Sequence, residues 1–183
     1  MYRELKATAM ACFFLERESS HELNDIKLMK LLYIAERRSL ARYSMPITGD
    51  NYVSMEHGPV LSTTYRLMSS EVEGQTWGSH IAQMKRWKDG HDQLVPLVRG
   101  IEYASVLRGC EIEILEEVWA EMGAWTKWQL KDYCHENFKE YDERAEKLKT
   151  SINLELETIF AALGDNERLA REKADEVREL TAN

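Results

Sequence analysis

The 183-residue chain reads as a mainly α-helical domain carrying one small β-hairpin or short strand pair, and three features say so. Only three prolines and nine glycines interrupt it. Most segments between them repeat apolar residues at three- and four-residue spacing, the period of an amphipathic helix. One segment, Ile26–Ala35, is apolar on most sides, which suits a helix in the middle of a domain. The expected architecture is a compact helical domain over residues 1–145 around a central buried helix, with a C-terminal helical extension over 146–183 packed on it or flanking it. A chain of this length needs one core and no staples.

The first helix is expected over Tyr2–Arg17, with Leu5, Ala9 and Phe13 on one row and Met10 and Phe14 on the next. Asn24 or Asp25 supplies the N-cap of the second, Ile26–Tyr43. Its first half is apolar, whereas Glu36-Arg37-Arg38 onward should emerge into solvent. Pro46 ends that region, and Thr48-Gly49-Asp50-Asn51 is turn chemistry. Tyr52–Glu56 alternates with a two-residue period, as a short strand does. Gly58-Pro59 is expected to lead into a helix, Pro59 setting φ for its first turn and Val60, Thr64, Leu67 and Met68 lining it.

Farther on, Trp77, Ile81, Met84 and Trp87 fit a short helix, and Asp89-Gly90 a turn. Leu94–Val98 fits a strand that Pro96 confines to an edge. A helix from Glu111 closes at Gly123 in the C′ position, and Thr126 caps another through His135. Ile152, Leu156, Ile159, Phe160 and Leu163 are placed on one helix, and Arg168–Leu180 on a last, charged one.

Composition narrows the functional classes. The longest apolar run, Ala9–Leu15, is seven residues, far short of the roughly 20 that cross a bilayer. Glu16-Arg17-Glu18 follows it where a signal peptide would need small residues. Three cysteines without CxxC spacing (Cys12, Cys110, Cys134) suit a reducing cytoplasm. The net charge of −8 is uneven: residues 1–100 carry 13 basic against 12 acidic side chains, and residues 101–183 carry 11 against 20. An acidic half repels phosphates, so no direct nucleic-acid binding is expected; it suits solubility or a basic protein partner.

Catalytic patterns are thin. The chain has no phosphate-cradling GxxxxGK[ST], no GxGxxG after a strand and no HExxH. Cys134 and His135 are adjacent on a helix and so point about 100° apart; a catalytic thiol would need a base such as His57 from elsewhere. Glu36, Glu56 and Glu71 could join His57 or His135 on a metal, but their spacing does not demand it. No cofactor is expected. Trp119, Trp125 and Trp128 fall within ten residues, as core side chains or as anchors for a protein partner.

The segment Asp25-Ile26-Lys27-Leu28-Met29-Lys30-Leu31-Leu32-Tyr33-Ile34-Ala35 resembles the KLxKLLYxA helix of the Panacea domain, the SocA-like antitoxin family. Tyr43–Ile47 resembles that family's YGxPL exit, with Ser44 in place of its frequent Gly. Met55-Glu56-His57-Gly58-Pro59-Val60 resembles its GPV signature, and Tyr65 stands where a Tyr is common. Glu111–Gly123 is similar to its ExxILxxVxxxFG helix, and Leu130–His135 to its LxDxTH segment, with Cys134 for Thr. After His135, Phe138 and Tyr141 stand where EXPW is usual.

The resemblance spans about Tyr2–Glu140 and implies a non-enzymatic antitoxin that binds a cognate toxin directly. Family toxins are diverse and include translation inhibitors related to alarmone synthetases. One branch delivers its toxin to an AAA+ protease as an adaptor, and many members lie on phages or other mobile elements. The motif or partner-binding residues are then Lys27, Lys30, Tyr33, Glu56, His57, Gly58, Pro59, Tyr65 and His135, with Trp125 and Trp128 as core side chains or partner anchors. Lys27 and Lys30 lie three apart on an apolar helix, and at least one of them should find a carbonyl or an acid near the His57 turn. A cluster of Lys30, Glu56, His57 and His135 is the sharpest expectation, either locking the hairpin to the helix or edging a partner groove.

Overall fold

The computed structural model describes residues 1–82, 85–86 and 93–182. Helix α1 (Glu4–Arg17) is buried on all sides from Ala7 to Leu15. Strand β1 (Glu22–Asn24) runs directly into α2 (Asp25–Tyr43), whose N-cap is Asn24: its side chain accepts from the amides of Ile26 and Lys27. Helix α2 packs against α1 and β1 and, farther along the chain, against two strands and three helices introduced below. Leu28, Leu31 and Leu32 are fully buried, each worth about 1.5–3 kcal/mol of apolar transfer.

The helix ends at Tyr43, where it was expected to, and Ser44 caps it in the left-handed region with φ 51°. Its second half emerges only at the end, at Ala41, Arg42 and Tyr43. Glu36 is fully buried, accepting from the amides of Ile47 and Thr48, the Thr48 hydroxyl and the Tyr52 hydroxyl. The polar residue was needed inside, to satisfy a loop that folds back over the helix.

Strands β2 (Tyr52–Met55) and β3 (Gly58–Leu61) form an antiparallel hairpin, and β6 (Ile152–Leu154) adds to β2, giving the order β3-β2-β6. Gly58-Pro59 therefore opens a strand rather than a helix; α3 (Ser62–Met68) begins afterwards. Pro59 is tolerated because β3 is an edge strand, where a missing N–H breaks no ladder. Ile152 likewise belongs to a strand, and α8 (Leu156–Ala162) starts four residues later. Among the described residues there is a second small sheet, β1-β5-β4, from β5 (Gln93–Pro96) and β4 (Lys85–Arg86). Pro96 thus lies on the middle strand, not an edge; it is the strand's last residue, and its carbonyl accepts from Ala82. Strands of two or three residues are too short to show a period, so β1, β4 and β6 were not expected.

Helix α4 (Trp77–His80) stops at Ile81, which bridges to Leu97. Met84, Trp87 and the Asp89-Gly90 turn lie outside the described residues. After a 3-10 turn at Tyr103–Ser105 come α5 (Gly109–Met122) and α6 (Lys127–Asn137), the latter with a capping box between Thr126 and Gln129. Gly123 ends α5 with φ −60°, so it is not a left-handed C′ residue. Its need is space: a β-carbon there would stand 2.6 Å from the Trp119 carbonyl oxygen.

The chain closes with α7 (Arg144–Leu148), then β6, α8 and α9 (Glu167–Ala182). Ile159 and Phe160 of α8 and Ala170, Ala174 and Val177 of α9 join the same apolar core as α1 and α2. In the completed fold α2 packs on β3, β5, α5, α6 and α8. Among the described residues, no helix is long and apolar enough to cross a membrane.

Candidate functional site

The site grows from the hairpin turn. Glu56-His57 joins β2 to β3, with Met55 opposite Gly58. Gly58 has φ +99°, open to glycine and costly for other residues. It is also where two side chains converge. A β-carbon on residue 58 would stand 3.1 Å from Lys30 Nζ and 3.3 Å from His135 Nε2.

Lys30 comes from α2 and is 1% exposed. Its Nζ donates to the Pro59 carbonyl at 2.7 Å, stitching the hairpin to the helix. Burial pulls its pKa down to about 8. His135 comes from α6 and stacks on Tyr141, ring centroids 4.2 Å apart and planes 20° from parallel. His57 meets the Trp128 ring edge to face at 5.9 Å. Trp128 is 50% exposed, and Lys127 Nζ lies 4.8 Å from its ring centroid.

Two imidazole nitrogens, His57 Nδ1 and His135 Nε2, are buried without a hydrogen-bond partner. Burial lowers the pKa of both rings, and Lys131 and Lys30 push the same way; Glu56 and Asp25 oppose the shift at His57, and Glu146 and Asp132 at His135. Both rings are therefore neutral at pH 7. Beside the turn opens a cleft of about 290 Å³, lined by Met29, Val60 and Tyr65 and by the charged Asp25, Lys30, Glu56 and Lys127.

Burial pushes the Cys134 thiol up to about 11, so it is protonated at pH 7 and a poor nucleophile. Among the described residues, no three His, Cys, Asp or Glu side chains are grouped to hold a metal.

A family model described as "Antitoxin SocA-like, Panacea domain" matches residues 28–139, more than half of the chain. The chain belongs to the SocA-like Panacea family. No curated protein and no solved structure matches it. The Panacea segment begins inside α2 and ends just past α6, so it contains the hairpin, Lys30 and both histidines of the turn cluster. Helix α1 and everything from β6 onward lie outside it.

Of the residues singled out in the sequence, the Panacea fold gathers Lys30, Glu56, His57, Gly58, Pro59, Tyr65, Trp128 and His135 at this turn. Three others go elsewhere. Lys27 points away from the turn: its Nζ donates to the Gly123 carbonyl at 2.6 Å, tying α2 to the end of α5. Tyr33 is buried and donates to Glu140, which also pairs with Arg37. Trp125 packs edge to face on Tyr133 in a separate groove with Asp132 and Glu136. The two lysines diverge because a three-residue step on a helix turns about 60°, enough to reach different neighbours.

Residues that the sequence reading did not place here are Asp25, Lys127 and Lys131. A signal existed: Lys127, Lys131 and His135 recur at four-residue steps along α6, one face of a helix.

Proposed function

We propose that this chain is an antitoxin that neutralises a cognate toxin by direct protein contact, through the face formed by the Glu56-His57 turn and the start of α6. Membership of the SocA-like Panacea family carries this reading. The half-exposed Trp128, edge to face with His57, adds a residue of the type that dominates protein interfaces. The acidic second half suits a basic surface on the toxin, so the complex should weaken steeply with salt.

The test is growth rescue. The neighbouring reading frame is expressed from an inducible promoter with and without this protein, and colonies are scored. Rescue supports the reading; a toxic neighbour that goes unrescued counts against it. Trp128→Ala should abolish rescue and weaken toxin binding at least tenfold, the effect of a hot-spot residue, while the melting temperature stays within about 2 °C. Toxin half-life, followed in the same cells, separates masking from delivery to an AAA+ protease: masking leaves turnover unchanged, and delivery shortens it.

A further inference from the structure

We infer that the groove beside α6, walled by Trp125 and Tyr133 and edged by Asp132 and Glu136, seats an arginine side chain of the partner protein. That the partner is a toxin rests on the antitoxin reading; the chemistry of the groove does not.

One helix and the residue ahead of its cap build the groove. Gln129 lies three and four residues before Asp132 and Tyr133, and Glu136 lies the same distances after Tyr133 and Asp132, so all four share a face of α6. Trp125 precedes the Thr126 cap and closes the end, meeting the Tyr133 ring edge to face at 5.6 Å. Both rings are half-buried against the core, which holds the walls in place. Gln129, Asp132 and Glu136 are exposed. Together the five residues line about 280 Å³, room for one side chain rather than for a cofactor-sized ligand.

Charge and aromatic surface together select the occupant. Asp132 and Glu136 are like charges four residues apart, an arrangement that disfavours a helix. Among the described residues neither forms an ion pair; the neighbouring Lys131 pairs with Glu146 instead. The side-chain oxygen of Gln129 already accepts from the Thr126 amide and hydroxyl, so the two carboxylates are the acceptors left to a partner. Elsewhere the chain combines a ring and a carboxylate around its own arginines. Arg17 stands 3.3 Å from the Phe13 ring centroid and pairs with Glu116, and Arg37 stands 4.2 Å from that of Phe138 and pairs with Glu140. Trp119 and Trp128 each have a lysine of the chain near the ring. Among the described residues no cation of the chain stands over Trp125 or Tyr133, so the matching arginine has to come from a second chain. Arginine fits better than lysine, because its planar guanidinium stacks on a ring while its N–H fork holds a carboxylate. An acidic side chain or a phosphate would meet two like charges.

The test uses the full-length chain with Nα-acetyl-argininamide as the probe. Nα-acetyl-citrullinamide, which keeps the shape without the charge, is the control. ¹H–¹⁵N spectra follow the Trp125 indole, assigned with Trp125→Phe. Its shift per unit of probe concentration should be about threefold larger or more with arginine than with citrulline. The double variant Asp132→Asn, Glu136→Gln should remove that difference while its melting temperature stays within about 2 °C of wild type, because both side chains are exposed. Equal shifts from the two compounds, or a difference that survives the double variant, overturn the groove. The same variant should weaken binding of a neutralised toxin about tenfold, the effect of losing a charge pair across an interface. Unchanged toxin affinity overturns the assignment of the arginine to that partner. If the chain rescues no toxin, the antitoxin reading fails, and a groove that still tells arginine from citrulline supports the inference without it.

Discussion

Glu36 is a carboxylate wholly inside the protein, and burial raises its pKa to about 7 from 4.5 despite four hydrogen-bonding neighbours. A folded-state pKa above the unfolded value favours the protonated form in the native state. Its contribution is therefore complete below about pH 4.5 and is lost as the pH climbs through 7. Glu36→Gln should flatten that part of the profile: its melting temperature, relative to wild type, should rise between pH 5 and pH 8. An unchanged difference across that range would show that Glu36 does not titrate there.

Ser44 presents the opposite situation, a residue whose cost lies in the backbone. It terminates α2 with φ 51°, where glycine carries no steric penalty. Ser44→Gly should stabilise the chain by about 0.5–1 kcal/mol in urea unfolding. The motif comparison already pointed to this position, because Gly is frequent there in the family. The buried role of Glu36 was hidden, since a Glu followed by two arginines has the pattern of a solvated helix face.

At the scale of elements, helix starts marked by a capping side chain were legible, and strands of two or three residues were not. Asn24 ahead of an apolar run is a strong N-cap signal, and the side chain does accept from Ile26 and Lys27. Asn24→Ala should cost about 1 kcal/mol, read from the midpoint of chemical unfolding. Thr126 was legible as a cap in the same manner, and the structure adds Gln129 to it as a capping box. The hairpin turn was harder to read. Gly-Pro just ahead of a helix suggests a helical first turn, but Gly58 pairs with Met55 and draws the proline into the strand. Lys30 supports that arrangement by holding the Pro59 carbonyl from the neighbouring helix. No local signal in residues 56–60 reports a lysine that is about thirty positions away.

For the whole molecule, the open question is how far the segment after residue 145 is separable. Strand β6 supplies an edge of the hairpin sheet, while Ile159, Phe160 and Val177 sit in the common core. Their burial contributes about 1.5–3 kcal/mol per large side chain, which summed approaches the roughly 5–15 kcal/mol that keeps a typical domain folded. A chain truncated after Tyr141 or Ala145 should therefore lose its cooperative thermal transition and elute as an expanded or aggregated species. A sharp transition near the wild-type temperature would show instead that these helices are an appendage.

Local chemistry along the chain was enough to establish the mainly helical class, the caps at Asn24 and Thr126 and the family motifs, because each depends on residues within a few positions of one another. Tertiary structure decided which way each lysine of α2 points and that Glu36 is inside. It also decided that Pro96 lies mid-sheet and that Lys30 and His135 meet over Gly58. Those outcomes depend on which distant backbone carbonyls and amides need partners once the core has closed, and that demand exists only in the folded chain.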